Sequence, residues 1–133
     1  MPYKLFTGGQ LLEMTTGNNE AKLFRSVTER FWLNVVSKDH CDTLVAEVHD
    51  AEADLYVVLD GHANLYLGGT LENKTTPTPG QHRGTGLQNA DCHAINAGDL
   101  IVIPEGTPHM LDVRQSRLVY LVVKIDLSEA FKA

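Results

Sequence analysis

Apolar residues along this chain mostly alternate with polar ones or come in short bursts, each closed by Gly, Pro, Asn or Asp. Alternation marks a strand with one buried face, and a short unbroken burst marks a strand buried on both. Read this way, the strands are KLFRSV (22–27), RFWLNVV (30–36), TLVAEVH (43–49), LYVVLD (55–60), ANLYLG (63–68), CHAIN (92–96), DLIVIP (99–104), HMLDV (109–113) and LVYLVVKI (118–125). Turn-forming DGH, NAGD and PEGTP separate several of them, a rhythm that suits a sandwich or barrel. LYVVLDGHANLYLGG reads as a hairpin turning near Gly61. Helix is scarce: only GGQLLEM near the start and LSEAFKA at the end suit short helical turns, the latter with Ser128 as its N-cap.

One segment breaks the rhythm. TLENKTTPTPGQHRGTGLQNAD, residues 70–91, is polar and rich in Thr, Gly and Pro. It is much longer than the usual connection of about 4–6 residues, and loops of that length tend to be lids or binding loops. The pattern predicts a mobile lid hinged at Gly80, Gly84 and Gly86 and restrained by Pro77 and Pro79. Arg83 is the cation it would bring to a substrate.

Composition narrows the class. A chain of 133 residues fits one domain, 1–133. Hydrophobic residues at 43% and charged residues at 21% are ordinary globular values, and a formal charge of -6 argues against a nucleic-acid partner. No apolar run is long enough to span a membrane as a helix, and the N-terminus lacks a secretory layout. Cys41 and Cys92 have no metal-ligand spacing and read as free thiols. The expectation is a cytoplasmic protein that binds a small molecule rather than nucleic acid or membrane.

The chemistry lies in EVHDAEADLYVVLDG, residues 47–61. On an extended strand, side chains at i and i+2 share a face, so Glu47 and His49 point together with Val45. Asp54 shares the phase of Tyr56 and Val58 on the next strand. If Val45 and Val58 face a core, Glu47, His49 and Asp54 face it too, and burying them unpaired costs several kcal/mol. A divalent cation is the economical partner for two carboxylates and an imidazole, with His109 as a fourth ligand from across the barrel. Asp50 and Glu52 read as residues of the exposed turn between the two strands. His40, His62, His82 and His93 have no ligand spacing and read as surface residues. Phe31, Trp32, Tyr56, Tyr66 and Tyr120 are most simply core or dimer-face aromatics, and Tyr56 is also a candidate substrate contact beside Arg83.

GDLIVIPEGTPHML, residues 98–111, resembles the second motif of the cupins: a glycine, five residues, a proline, any residue, a glycine, two residues and a histidine. Gly98, Pro104, Gly106 and His109 match it, while Val113 stands where an asparagine is usual. Residues 47–61 resemble the first motif, His-x-His followed by Glu and then Gly. His49 and Gly61 match, Glu47 replaces the first histidine, and Asp54 replaces the glutamate. The resemblance implies an all-β fold, one small cupin barrel with its core over about 43–125 and an N-terminal extension over 1–40, in which the proline–glycine turn aims His109 at a metal.

Two imidazoles and two carboxylates form a harder, more anionic set than the usual three histidines and one glutamate. It suits Fe, Mn, Ni, Co or Zn, one ion per chain. Asp is one methylene shorter than Glu, so Asp54 is expected to reach the metal through water. That leaves Glu47, His49 and His109 as a two-histidine, one-carboxylate set, similar to that of non-haem iron oxygenases. Cupins include dioxygenases, isomerases, decarboxylases, lyases, sensor domains and storage proteins, so the fold does not name a reaction. The favoured reading is a metal-dependent oxygenase, isomerase or lyase acting on a small oxygenated substrate, with Glu47 and Asp54 as candidate catalytic carboxylates. The alternative is a ligand-binding or sensor module with a structural metal. A homodimer is expected, formed through the apolar N-terminal segment with Phe24, Phe31 and Trp32.

Overall fold

Where alternation is strongest, strand forms. The structure is a computed structural model that describes residues 3–26, 28 and 30–128. Its strands are β1 (Asn19–Ser26), β2 (Phe31–Asp39), β3 (Ala46–His49), β4 (Glu52–Leu67), β5 (Thr70–Glu72), β6 (Thr75–Thr78), β7 (Gln81–Gly84), β8 (Gly86–Gln88), β9 (Asp91–Asn96), β10 (Leu100–Ile103), β11 (His109–Asp112) and β12 (Arg117–Asp126). The helix near the start is α1 (Gly8–Glu13), and a reciprocal capping box between Thr7 and Gln10 closes its N-terminus. The helical turn expected over residues 127–133 runs outside the described residues.

All strand pairs are antiparallel, and β4 organises them. Its first half lies between β12 and β10, and its second half lies between β11 and β9. Beyond β12 the sheet continues to β2 and β1, and beyond β11 to β3, β7 and β6. One core joins the two halves, with Val58, Leu65, Ile95, Ile103, Leu118 and Val122 among its members.

The hairpin expected at Gly61 does not form. The chain runs through DGH as one 16-residue strand. Gly61 instead pairs with Leu118 beside a bulge at Leu59, where Val119 pairs with Asp60 but Tyr120 pairs with Val58. Its φ is +78°, and a Cβ there would lie 1.9 Å from the Arg117 carbonyl oxygen. A glycine at a bulge lets a strand turn and twist without ending. In this chain it carries β4 from one half of the sheet into the other.

Residues 70–91 are also not a free loop. They fold into four short strands: β5 pairs with β8, and β6 with β7, while β7 is hydrogen-bonded along the edge of β3. Their polar composition reflects exposed hairpin faces rather than a lack of structure. Among the described residues, no helix is long and apolar enough to cross a membrane.

Candidate metal centre

The sheet register sets out the centre before any side chain is considered. Glu47 on β3 stands directly between His109 on β11 and Arg83 on β7, and His49 stands opposite Gln81. Antiparallel partners are near enough for their side chains to meet. Asp54 enters from β4, where it alternates with Tyr56 and Val58 on the inward face.

Four donor atoms converge. The Nε2 atoms of His49 and His109 each lie 3.6 Å from Glu47 Oε2 and 3.6 Å from Asp54 Oδ2. The donor atoms of Glu47, His49 and His109 all lie within 4.8 Å of one another, and N–O separations of this size suit one ion bonded to each at the ~2.0–2.2 Å that transition metals make to imidazole nitrogen and carboxylate oxygen. His49, Asp54 and His109 are 4%, 1% and 3% exposed. Their inward atoms, both Nε2 and Asp54 Oδ2, have no hydrogen-bond partner among the described residues. Buried polar atoms are rarely left so, and a shared cation answers all three at once. The donor set therefore fits a divalent metal ion.

The outward atoms of the same residues are all engaged. His49 Nδ1 donates to Gln81 Oε1, and His109 Nδ1 donates 2.9 Å to the Thr107 carbonyl. A carbonyl can only accept, so in neutral His109 the proton sits on Nδ1 and the Nε2 lone pair faces inward, the tautomer a metal requires. Asp54 Oδ1 takes a 3.2 Å bond from Lys124 Nζ, which also reaches Glu52 at 3.3 Å. Glu47 Oε1 faces Arg83 Nε at 3.4 Å, leaving Oε2 for the centre.

The turn Pro104–Pro108 is built to aim His109. Gly106, at φ +73°, donates its N–H to the His49 carbonyl at 2.8 Å, and Gly68 N–H donates to the Pro108 carbonyl at 2.8 Å. Both ends of the turn are thus tied to strands beside the centre, and Thr107 supplies the carbonyl that orients the imidazole.

Electrostatics agree with a cation site. Burial alone would raise the Glu47 carboxyl, but the imidazoles of His109 and His49 and the Arg83 guanidinium outweigh it and hold Glu47 well below the usual carboxylate range. Burial would lower His49, yet Glu47, Gln81 and Asp54 raise it. Lys124 is also pushed up, because Asp54 and Glu52 outweigh the cost of burying it, so it stays charged.

The centre opens on a cavity of about 460 Å³ lined in part by Lys38, Tyr56, Arg83, Tyr120 and Lys124. That is room for a small molecule.

Several expectations change in detail. Asp54 is not held back by its shorter side chain: Oδ2 lies as close to both imidazoles as Glu47 Oε2 does. Val45 is 43% exposed and lines the cavity instead of packing in a core. Glu52 opens β4 and pairs with Lys124 rather than sitting on an exposed turn, whereas Asp50 is exposed. His82 bridges Thr76 and Asp50 at 2.8 and 2.9 Å, away from the centre. Arg83 is fixed in β7 beside Glu47, not carried on a lid.

Sequence reasoning missed Gln81, Lys124 and the Thr107 carbonyl. The signal for Gln81 was its two-residue offset from Arg83, the same offset that separates His49 from Glu47. No local pattern marks Lys124, whose partners are 70 and 72 residues away.

No family model matches this sequence, and no curated protein matches it. Solved structures do resemble the fold. An uncharacterized conserved protein with a double-stranded β-helix domain from Klebsiella pneumoniae has a TM-score of 0.61 and 16% identity, covering 95% of this chain and 92% of its own. An RmlC-like cupin family protein from Methanocaldococcus jannaschii has a TM-score of 0.58 and 14% identity, covering 87% and 86%. The DMSP lyase DddQ from Ruegeria pomeroyi has a TM-score of 0.56 and 18% identity over 84% of this chain, which spans 48% of the lyase. With its antiparallel strands around one core and these structural relatives, the chain has the cupin fold, a double-stranded β-helix.

Proposed function

We propose that this protein is a metal-dependent cupin enzyme that acts on a small oxygenated substrate inside the barrel. Glu47, His49, His109 and Asp54 hold one divalent transition metal (Fe, Mn, Ni, Co or Zn). One observation carries the reading: two imidazole nitrogens each stand 3.6 Å from the same two carboxylate oxygens, with the outward atoms of all four side chains already engaged, on the wall of a cavity large enough for a substrate.

A metal bound there supplies Lewis acidity, or an oxygen-binding centre if it is redox-active. The chain's own contribution is orientation and charge. Gln81 and Thr107 hold the two imidazoles in the ligating tautomer, and Lys124 holds Asp54 with one oxygen forward. Arg83 steadies Glu47 through Nε, donates from Nη1 to the His82 carbonyl at 3.0 Å, and lines the cavity, where its positive charge would meet an anionic substrate group. The likeness of the fold to that of a DMSP lyase supports lyase chemistry as one branch, with isomerase and oxygenase chemistry as the others. A sensor role has no comparable observation in its favour.

The same reading includes a homodimer. A groove lined by Phe6, Leu23, Phe24, Phe31, Leu33 and Leu121 lies on the outer side of the N-terminal strands, and a second copy would cover it.

Elemental analysis of protein purified without added metal tests the centre, with oxygen uptake on candidate substrates separating oxygenase from redox-neutral chemistry. One ion per chain is expected, and most of it lost in His49→Ala and in His109→Ala. Full occupancy in both variants would place the metal elsewhere.

A further inference from the structure

Two tyrosines in the cavity are left without a role by the metal centre. Tyr56 on β4 and Tyr120 on β12 are 5% and 6% exposed, and both line the cavity. Tyr56 pairs with Val122 and Tyr120 with Val58, so the rings are diagonal neighbours on one inward face, with centroids 4.8 Å apart at 45°. Asp54 shares this face two residues before Tyr56, and Lys124 shares it four residues after Tyr120. The metal donors and the two phenols therefore look into the same space.

Neither hydroxyl has a hydrogen-bond partner among the described residues, and neither oxygen is among the atoms sealed from the cavity. A tyrosine hydroxyl at a cavity wall with no protein partner is free to donate to a group held in that cavity. Two such groups side by side, at the wall of a metal cavity, are placed to bind an oxygen-rich group that the protein does not supply.

Charge says which group. Lys38, Arg83 and Lys124 line the cavity against Glu20, Glu47 and Glu52, with Asp54 behind them. Without a metal the balance is negative, and a divalent ion reverses it. A tyrosine hydroxyl keeps its proton up to about pH 10, so near neutral pH both phenols can donate to an anion.

We propose that Tyr56 and Tyr120 form a hydroxyl clamp for the carboxylate of a small hydroxy- or keto-carboxylate, bound only when the metal is present. The clamp rests on the metal reading and names the substrate class of that centre. Each hydroxyl donates to a carboxylate oxygen, while the substrate's hydroxy or keto oxygen is left to the metal side of the cavity. Because the anion and the cation occupy one space of opposite charge, each raises the affinity for the other by the same factor.

The test uses the full chain loaded with Co²⁺, with glycolate as the probe and the visible cobalt spectrum as the readout. Hydrogen bonds to a charged group are worth about 1.5–3 kcal/mol, so Tyr56→Phe and Tyr120→Phe should each weaken glycolate by roughly 10-fold or more. Phenylalanine keeps the packed ring, so cobalt affinity without glycolate should stay within about twofold of wild type if the hydroxyls touch only the ligand. Glycolate should tighten cobalt binding in the wild type and do so less in each variant. Failure of Co²⁺ to bind overturns the metal reading and the clamp together. Stoichiometric Co²⁺ with wild-type glycolate affinity in both variants, no glycolate binding to the loaded wild type, or equal binding to metal-free protein overturns the clamp alone.

Discussion

Gln81 is the sharpest place to perturb the centre without touching a ligand. Its side-chain oxygen accepts the Nδ1–H of His49, an imidazole only 4% exposed. Replacing it by alanine leaves that donor short of a partner and removes the bias toward the tautomer with its Nε2 lone pair inward. The cost of an unmet buried hydrogen bond is about 1–3 kcal/mol, and loss of a partner behind a ligating histidine typically costs about 10–100-fold in metal affinity. Gln81→Ala should therefore weaken Zn²⁺ or Co²⁺ by roughly 10–100-fold while still reaching one ion per chain at saturation. Gln81→Glu places a charged acceptor behind the same imidazole and should bind at least as tightly as wild type. Thr107→Ala is the control, since His109 leans on the Thr107 backbone carbonyl and should keep its metal. Competition with a metallochromic chelator at fixed pH measures all three, with the metal-free melting temperature as a check on folding. If Gln81→Ala bound metal within about twofold of wild type, or Gln81→Glu bound more weakly than Gln81→Ala, the orienting role would be refuted.

Asp54→Asn should lose as much metal as Glu47→Gln, because both carboxylates sit 3.6 Å from the same two nitrogens; a clearly smaller loss by elemental analysis would mean that Asp54 acts only through water. Gly61→Val should destabilise the fold by more than about 2 kcal/mol in urea denaturation, since it forces a branched side chain to φ +78° against the Arg117 carbonyl; a loss below about 0.5 kcal/mol would show that β4 relaxes freely there. Light scattering at micromolar concentration should report a dimer and Phe24→Glu a monomer, while a wild-type monomer would end the homodimer proposal.

Strand content and strand position were largely legible in the sequence. The expected strand positions survive in β2, β9, β10, β11 and β12, and the first half of β4 shows the period of two itself, with Asp54, Tyr56 and Val58 buried and Leu55 and Val57 less so. The meeting of Glu47, His49, Asp54 and His109 was legible in part from strand phase, which puts Glu47 with His49 and Asp54 with Tyr56, and in part from the turn that opens the strand at His109. The proline–glycine turn before His109 was equally local, because it constrains only its own backbone.

Other features depended on which strands meet. DGH has the composition of a hairpin, and only the Arg117 carbonyl beside Gly61 shows that β4 continues through it. Residues 70–91 look like a loop because polar hairpins and polar loops share a composition, and only pairing with β3 distinguishes them. Gln81 behind His49, Lys124 behind Asp54, and Tyr56 beside Tyr120 are meetings between separate strands. A sequence encodes which face each strand buries, since that is settled residue by residue against water. Which strands then lie side by side is settled by closing the whole sheet around one core, and the groups that orient the centre were decided there.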